Sequence, residues 1–244
     1  MVGFEVQPRL EKTMINRNEP PPRDLFFHEY ADRLPVYHFS SIIPSIPIQL
    51  FGVNVAEVSD WNRVGDLLSP EEQQRSMLML NGTSRRYFLA GRALLRSSLA
   101  YCLGIRPCDV DLGYSPNGKP YISGTWEGTR LSFNVSHAGG WALIALSSEG
   151  DVGVDIEPVV PRKQMHRLLY GLFSDKDMSY VLDAPVHEQE STFYQLWCRR
   201  EATLKAFGKG ARYPTQKLNW SSFNADSNAF RWSPSDADPL RDIT

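Results

Sequence analysis

An α+β fold, with helices packed on short antiparallel strands around a ligand cleft, is predicted by two periodicities and by the turn formers that separate them. Over residues 191–207, Phe193, Leu196, Trp197, Leu204 and Phe207 recur at three- and four-residue steps, the period of an amphipathic helix, and Gly208 and Gly210 follow as stop signals. Over Val152-Gly-Val-Asp-Ile-Glu157 the apolar residues alternate with the others, which is the period of a strand. Helical and strand patterns then alternate irregularly along the chain, so helices and an antiparallel sheet share one architecture.

Composition narrows the class. The 244 residues are 42% hydrophobic and 22% charged, as in a globular protein with room for a substantial core. A net charge of −2 argues against binding nucleic acid through bulk charge. Cys102, Cys108 and Cys198 lack metal-ligand pairing and suit a reducing, cytoplasmic compartment as small core or boundary residues. Residues 1–24 have no apolar signal core, and the longest strongly apolar run, Trp141–Leu146, is far shorter than the roughly 20 residues that span a bilayer. No membrane role is expected.

Residues 1–45 read as an N-terminal arm, its first 35 residues polar and proline-containing, either flexible or wrapped on the domain. A first strand follows over Ile46–Val58. Ser69-Pro-Glu-Glu72 supplies an N-cap, a proline at the first helical position and first-turn acids, so a helix starts there. A longer helix over Thr83–Leu103 buries Phe88, Leu94, Leu95, Leu99 and Leu103 and carries Arg85, Arg86, Arg92 and Arg96, either as a solvated face or as a phosphate clamp. Tyr114–Pro120 is dense in turn formers and fixes Lys119 between a glycine and a proline, in a hairpin or at a ligand. Strands at Leu131–Val135 and Trp141–Ser147 are joined through Ser136-His-Ala-Gly-Gly140, which puts Ser136 and His137 beside a glycine pair where backbone can approach a ligand. Ser148–Asp151 turns into the Asp155 strand, and the boundary between an N-terminal half, 46–150, and a C-terminal half, 151–225, falls here. Helices are expected over Lys163–Phe173 and from Ser174-Asp-Lys-Asp177 to near Pro185, and residues 226–244 form a fraying tail.

The chemistry concentrates in the two segments of the opening paragraph. Strand geometry points Asp155 and Glu157 to one side, and helix geometry sets Trp197, Glu201 and Lys205 along one stripe. If Glu201 swings in, three carboxylates converge beside a lysine. Hard oxygen ligands in that number suit Mg²⁺, with the lysine left for a phosphate oxygen. Taken singly, the acids also fit a solvated strand edge, and Glu201–Lys205 an ordinary surface salt bridge.

Gly153-Val-Asp-Ile-Glu157, followed by Trp197-x-x-Arg-Glu-Ala-x-x-Lys-Ala-x-Gly-x-Gly210, resembles the paired signatures of 4′-phosphopantetheinyl transferases of the surfactin-synthetase-activating type. Asn117-Gly-Lys-Pro120 and Phe133-Asn-Val-Ser-His137 fit the same family, so the resemblance runs from about Leu50 to Phe223. It implies two similar halves related by a pseudo-two-fold axis, a monomer with the site in the cleft between them, and transfer of the phosphopantetheine arm of coenzyme A to a serine of an acyl or peptidyl carrier protein. It further implies that Asp155, Glu157 and Glu201 hold Mg²⁺, or Mn²⁺, with Asp155 and Lys205 also facing coenzyme A. Arg86, with Arg92 second, and Lys119 and Pro120 go to its nucleotide end, and Ser136 and His137 to its phosphates. Lys205 neutralises or protonates the leaving phosphate, while Glu201, or a metal-bound water it orients, takes the serine proton. Exposed parts of Leu172, Phe173 or Met178 would meet the carrier. Arg200 stands where the family has lysine, which keeps charge but replaces a point donor by a planar fork. Two other activities remain open with the same residues: a carrier-binding module without chemistry, and a Mg²⁺-dependent phosphohydrolase.

Overall fold

The computed structural model describes residues 2–6, 34–38, 48–115, 119–124, 131–148, 150–210, 213–222 and 229–231. Strand and helix are mixed as expected. The pieces of the expected first strand, turns and tail at 46–47, 116–118, 149, 223–228 and 232–244 lie outside the described residues.

The main sheet has the order β2 (Val36–His38), β3 (Ile48–Asn54), β7 (Trp141–Ser147), β6 (Ser132–Ala138), all neighbours antiparallel. Both faces of β3 and β7 are buried. Phe51, Val53, Ala142, Ile144 and Leu146 meet one core, and Ile48, Leu50, Leu143 and Ala145 meet another. This explains why 141–146 is a continuous apolar run rather than an alternation. The expected connection at Ser136–Gly140 is shorter than the sequence suggests: β6 continues through Ala138, which pairs with Trp141. The turn is only Gly139 and Gly140, at φ 57° and 89°, the left-handed pair that a two-residue hairpin demands. Ser136 and His137 are therefore held in register by a ladder.

On the first core lie α1 (Trp61–Gly65), α2 (Pro70–Met77) and α3 (Gly82–Leu103). Ser69 caps α2 as expected, and Glu72 returns the bond to complete a capping box. Of the expected buried stripe on α3, Leu94, Leu95 and Leu99 are buried, whereas Phe88 and Leu103 are half-exposed at its edge. Arg96 is not on a solvated face. It is 3% exposed, pairs with Glu72 and donates to the carbonyls of Pro107 (3.0 Å) and Val110 (2.8 Å). A hairpin of β4 (Leu112–Tyr114) and β5 (Pro120–Ile122) follows.

Against the second core runs β8 (Val152–Ile156). Its neighbour is β1 (Val2–Val6), in parallel, which is in turn antiparallel to β9 (Ala229–Arg231). β1 lies within the expected N-terminal arm and packs on the domain through β8, β9 lies within the expected tail, and residues 7–33 and 39–45 of the arm lie outside the described residues. Parallel pairing across some 150 residues leaves no local signal. On β8's other side, the Val154 amide donates to Oδ1 of buried Asn134 (3.2 Å), a side chain standing in for a ladder partner.

Three helices complete the fold: α4 (Met165–Leu172), α5 (Asp175–Leu182), with the expected Ser174–Asp177 capping box, and α6 (Val186–Ala206). They share a core of Leu169, Phe173, Phe193, Leu196 and Trp220. Phe173, suggested as a docking contact, is 2% exposed and belongs to this core, with Leu172 and Met178 packed at its margin. Cys198 is buried and Cys108 half-buried, as small core or boundary residues would be, while Cys102 is exposed. No helix among the described residues is long and apolar enough to cross a membrane.

Candidate active site

The C-terminus of α6 is built as a Schellman turn. The Gly208 amide donates to the Lys205 carbonyl (3.1 Å) and the Lys209 amide to the Leu204 carbonyl (2.8 Å), with Gly208 at φ 66°. That geometry fixes the last turn, and with it Lys205. The Lys205 ammonium does not pair with Glu201. It reaches Asp155 Oδ1 on β8 (2.7 Å), Ser136 Oγ on β6 (2.8 Å) and the Val154 carbonyl (3.2 Å). Ser136 also donates to Asp155 Oδ1 (3.0 Å). Three separate elements therefore meet at one ammonium. Asp155 is 4% exposed, and its Oδ2 is buried with no hydrogen-bond partner.

Glu201, one turn earlier, is held by its neighbour: Arg200 Nη1 donates to Oε1 at 2.5 Å. Arg200 is fully buried, and its other arms donate to Thr215 Oγ1 (2.8 Å) and the Tyr213 carbonyl (2.9 Å). Three acceptors in different directions are a task for a fork rather than a point donor. Burial pushes the Glu201 carboxyl above its usual range, opposed by Arg200 and reinforced by the charge of Asp155. Glu157, just beyond β8, is raised in the same way, by burial first and Asp155 second.

The donor chemistry fits a hard cation: one orphaned carboxylate oxygen and two carboxyls uncomfortable in their charged form. Among the described residues, no group of three His, Cys, Asp or Glu side chains already stands in metal-holding geometry. Lys205 holds one oxygen of Asp155 and Arg200 one of Glu201.

A cleft of about 360 Å³ opens beside this cluster, between α3, β6, the β4–β5 hairpin and the end of α6. Among its lining are Arg92, Lys119, Pro120, His137, Lys205 and Lys209, and among the described residues no acid lines it. Arg92 lies between the rings of Phe88 (5.7 Å) and Tyr114 (5.3 Å), with a buried Nη1 that has no partner. Lys119 donates to the Ala206 carbonyl (3.2 Å), tying the hairpin to the negative end of α6, and burial pushes its ammonium down. His137 is lowered by desolvation and by Lys205. Of the two arginines proposed for the nucleotide, Arg86 stands over Trp61 (5.9 Å) and does not line the cleft, whereas Arg92 does. Ser136 contributes through Lys205 and Asp155 rather than as cleft lining.

Two lining residues escaped the sequence reading. Lys209 sits between the helix-stopping glycines, and the pair Gly208/Gly210 drew attention to the stop and not to the cation between them. Tyr87, one residue after Arg86, accepts the Gly140 amide on its hydroxyl (2.6 Å) and lies 5.5 Å from the His137 ring, so it braces the β6–β7 turn. The sequence reading of this helix singled out Phe88 and the arginines and passed over Tyr87.

Residues 56–149 match a protein-family model described as 4′-phosphopantetheinyl transferase, N-terminal, and residues 151–239 one described as 4′-phosphopantetheinyl transferase superfamily. The chain is similar to a putative 4′-phosphopantetheinyl transferase of Synechocystis sp., 35% identical over 59% of this chain and 58% of that protein. It is also similar to the 4′-phosphopantetheinyl transferase HetI of Nostoc sp., 32% identical over 59% and 60%. The 4′-phosphopantetheinyl transferase Sfp of Bacillus subtilis is 28% identical over 64% and 67%. The match thus spans 58% and 60% of the length of the first two relatives.

Proposed function

This chain belongs to the 4′-phosphopantetheinyl transferase superfamily, and on that premise we propose that it transfers the 4′-phosphopantetheine arm of coenzyme A to a serine of an acyl or peptidyl carrier protein. Adenosine 3′,5′-bisphosphate is the other product. The observation that carries this reading is the junction of Lys205, Asp155 and Ser136 at the edge of a cleft lined, among the described residues, by cations and by no acid. Such a cleft suits a polyanion, and its foot suits charge developing on phosphate. It draws α3 from one side and the end of α6 from the other within one chain, which suits a monomer.

In the reaction, the serine Oγ forms a bond to the phosphorus that carries the pantetheine arm, and the bond from that phosphorus to the bridging oxygen breaks. Glu201, whose raised carboxyl is the better base near neutrality, takes the serine proton. Lys205 neutralises the leaving phosphate, and His137 and Lys119 hold the remaining phosphate oxygens. Arg92, which lines the cleft and pairs through Nε with Glu72 (3.7 Å), goes to the nucleotide end. Asp155, Glu157 and Glu201 would hold Mg²⁺, which when bound supplies positive charge to the phosphate oxygens.

The test is the intact mass of an apo carrier protein incubated with this chain, coenzyme A and Mg²⁺. We expect a gain of one phosphopantetheine that chelator abolishes. No gain with several carriers, despite measured coenzyme A binding, would defeat the reading. Mg²⁺ alone is expected to raise the melting temperature by about 2–4 °C for each kcal/mol of binding free energy. Glu157→Ala should remove that rise, because the ion relieves a carboxyl that burial and Asp155 hold in a costly charged state. A shift equal in the parent and in Glu157→Ala would take Glu157 out of the metal site.

A further inference from the structure

The described residues with the greatest apolar exposure include three that sit within four positions of one another. Met77, Leu78 and Leu80, at the end of α2 and in the loop leading to α3, are 69%, 75% and 102% exposed. Their backbone is ordered: the Leu78 amide donates to the Gln74 carbonyl (3.3 Å) and the Met79 amide to the Ser76 carbonyl (3.3 Å), while Asn81 Oδ1 caps α3 through the Ser84 amide (2.8 Å). An ordered backbone that holds leucines in water carries the cost of exposure without the excuse of disorder, and clustered exposure of this kind marks interaction sites.

The loop is joined to the cleft. The Arg75 guanidinium lies 5.2 Å from the centre of the Phe88 ring, and Phe88 lines the cleft beside Arg92. Charge points to the sign of the partner: from Gln73 to Cys108 the chain has no Asp or Glu, while Arg75, Arg85 and Arg86 flank the apolar residues.

We propose that Met77, Leu78 and Leu80, flanked by Arg75 and Arg85, dock the protein substrate, and that they fit an acidic helix with an apolar edge on the carrier protein. This rests on the reading above, since a carrier must deliver its serine to the mouth of that cleft. Docking here brings basic and apolar contacts to bear within one ring contact of the cleft lining. The sign of the charge supplies steering that salt weakens, and the leucines supply the buried centre of the contact.

The test uses the full chain and the double variant Leu78→Asp/Leu80→Asp. With coenzyme A saturating, KM for the carrier is expected to rise at least about tenfold, as for loss of a central apolar contact. The Kd for coenzyme A should stay within twofold. Carrier binding, read independently by fluorescence anisotropy of a labelled apo carrier, should weaken in parallel, and Arg85→Glu should weaken it and flatten its salt dependence. Unchanged carrier KM and Kd would overturn the proposal. So would a parental dimer that the variant converts to monomer, or parental binding to anionic vesicles that the variant loses. If the parent transfers nothing but binds the carrier through these residues, docking stands and the transferase reading falls. If neither parent nor variant binds any carrier, both fall.

Discussion

Lys205→Ala is expected to lower transfer at saturating coenzyme A and carrier by at least about a hundredfold, the size of losing one charge-stabilising donor in a reaction that builds charge on an oxygen. The ammonium, at the end of α6, ties that helix to β6 through Ser136 and to β8 through Asp155 and the Val154 carbonyl. Its loss would remove the cation proposed for the leaving phosphate and leave Asp155 buried with the Ser136 hydroxyl still donating to it. Binding and chemistry should separate. Arg92, Lys119 and His137 still line the cleft proposed for coenzyme A, so the Kd for coenzyme A should weaken far less than the single-turnover rate. Lys205→Arg should not restore the rate, because a planar fork cannot occupy the point where three acceptors lie between 2.7 and 3.2 Å from one nitrogen. Single-turnover transfer followed by intact mass, with coenzyme A binding by calorimetry, checks both. A rate within a few-fold of the parent would remove Lys205 from the chemistry.

The local grammar of this fold was legible in its sequence. Both capping boxes, the glycine stop after α6 and the stripe Trp197–Glu201–Lys205 follow from spacing alone, because each is decided within one or two helical turns. Partnerships were less legible. Spacing of four suggested a Glu201–Lys205 bridge, yet Glu201 is held by Arg200, and Lys205 by Asp155, which is fifty positions away. Arg96 read as one of four arginines on a solvated face or a phosphate clamp, and its pairing with Glu72 and the carbonyls of Pro107 and Val110, brought over it by the chain's return, make its burial tolerable. Arg200 read as a departure from the family's lysine that keeps charge and changes geometry. In the fold it is a buried tie between Glu201, Thr215 and Tyr213, and Thr215 in turn donates to the Leu172 carbonyl (2.8 Å). Arginine there does what lysine's single point cannot, so the substitution sits with an organised Glu201 rather than with a decayed site.

Gly153→Val is expected to be the most damaging single substitution for stability and to abolish transfer with it. β8 lies so close to α6 that even a Cβ at residue 153 would stand 1.8 Å from the Ala202 carbonyl oxygen and 2.8 Å from the Ala206 amide nitrogen. Both obstacles are helix backbone, which cannot rotate aside as a side chain can. The strand and helix must therefore part, and overpacking a rigid contact costs about 1–3 kcal/mol or more. For a chain of this size each kcal/mol lowers the melting temperature by about 2–4 °C. Parting them also carries Asp155, two residues along β8, away from Lys205 on α6, so the bond of 2.7 Å between them is lost even in molecules that remain folded. Gly153→Ala should show the same pattern to a smaller degree. Gly150→Ala is the control, because a Cβ there meets nothing within 4 Å, and it should leave both melting temperature and transfer near parental values. Thermal denaturation followed by circular dichroism, with transfer measured well below the transition, separates the two effects. A Gly153→Val protein that melts with the parent would mean that β8 and α6 do not touch in solution, and the junction of Asp155 with Lys205 would fall with that contact.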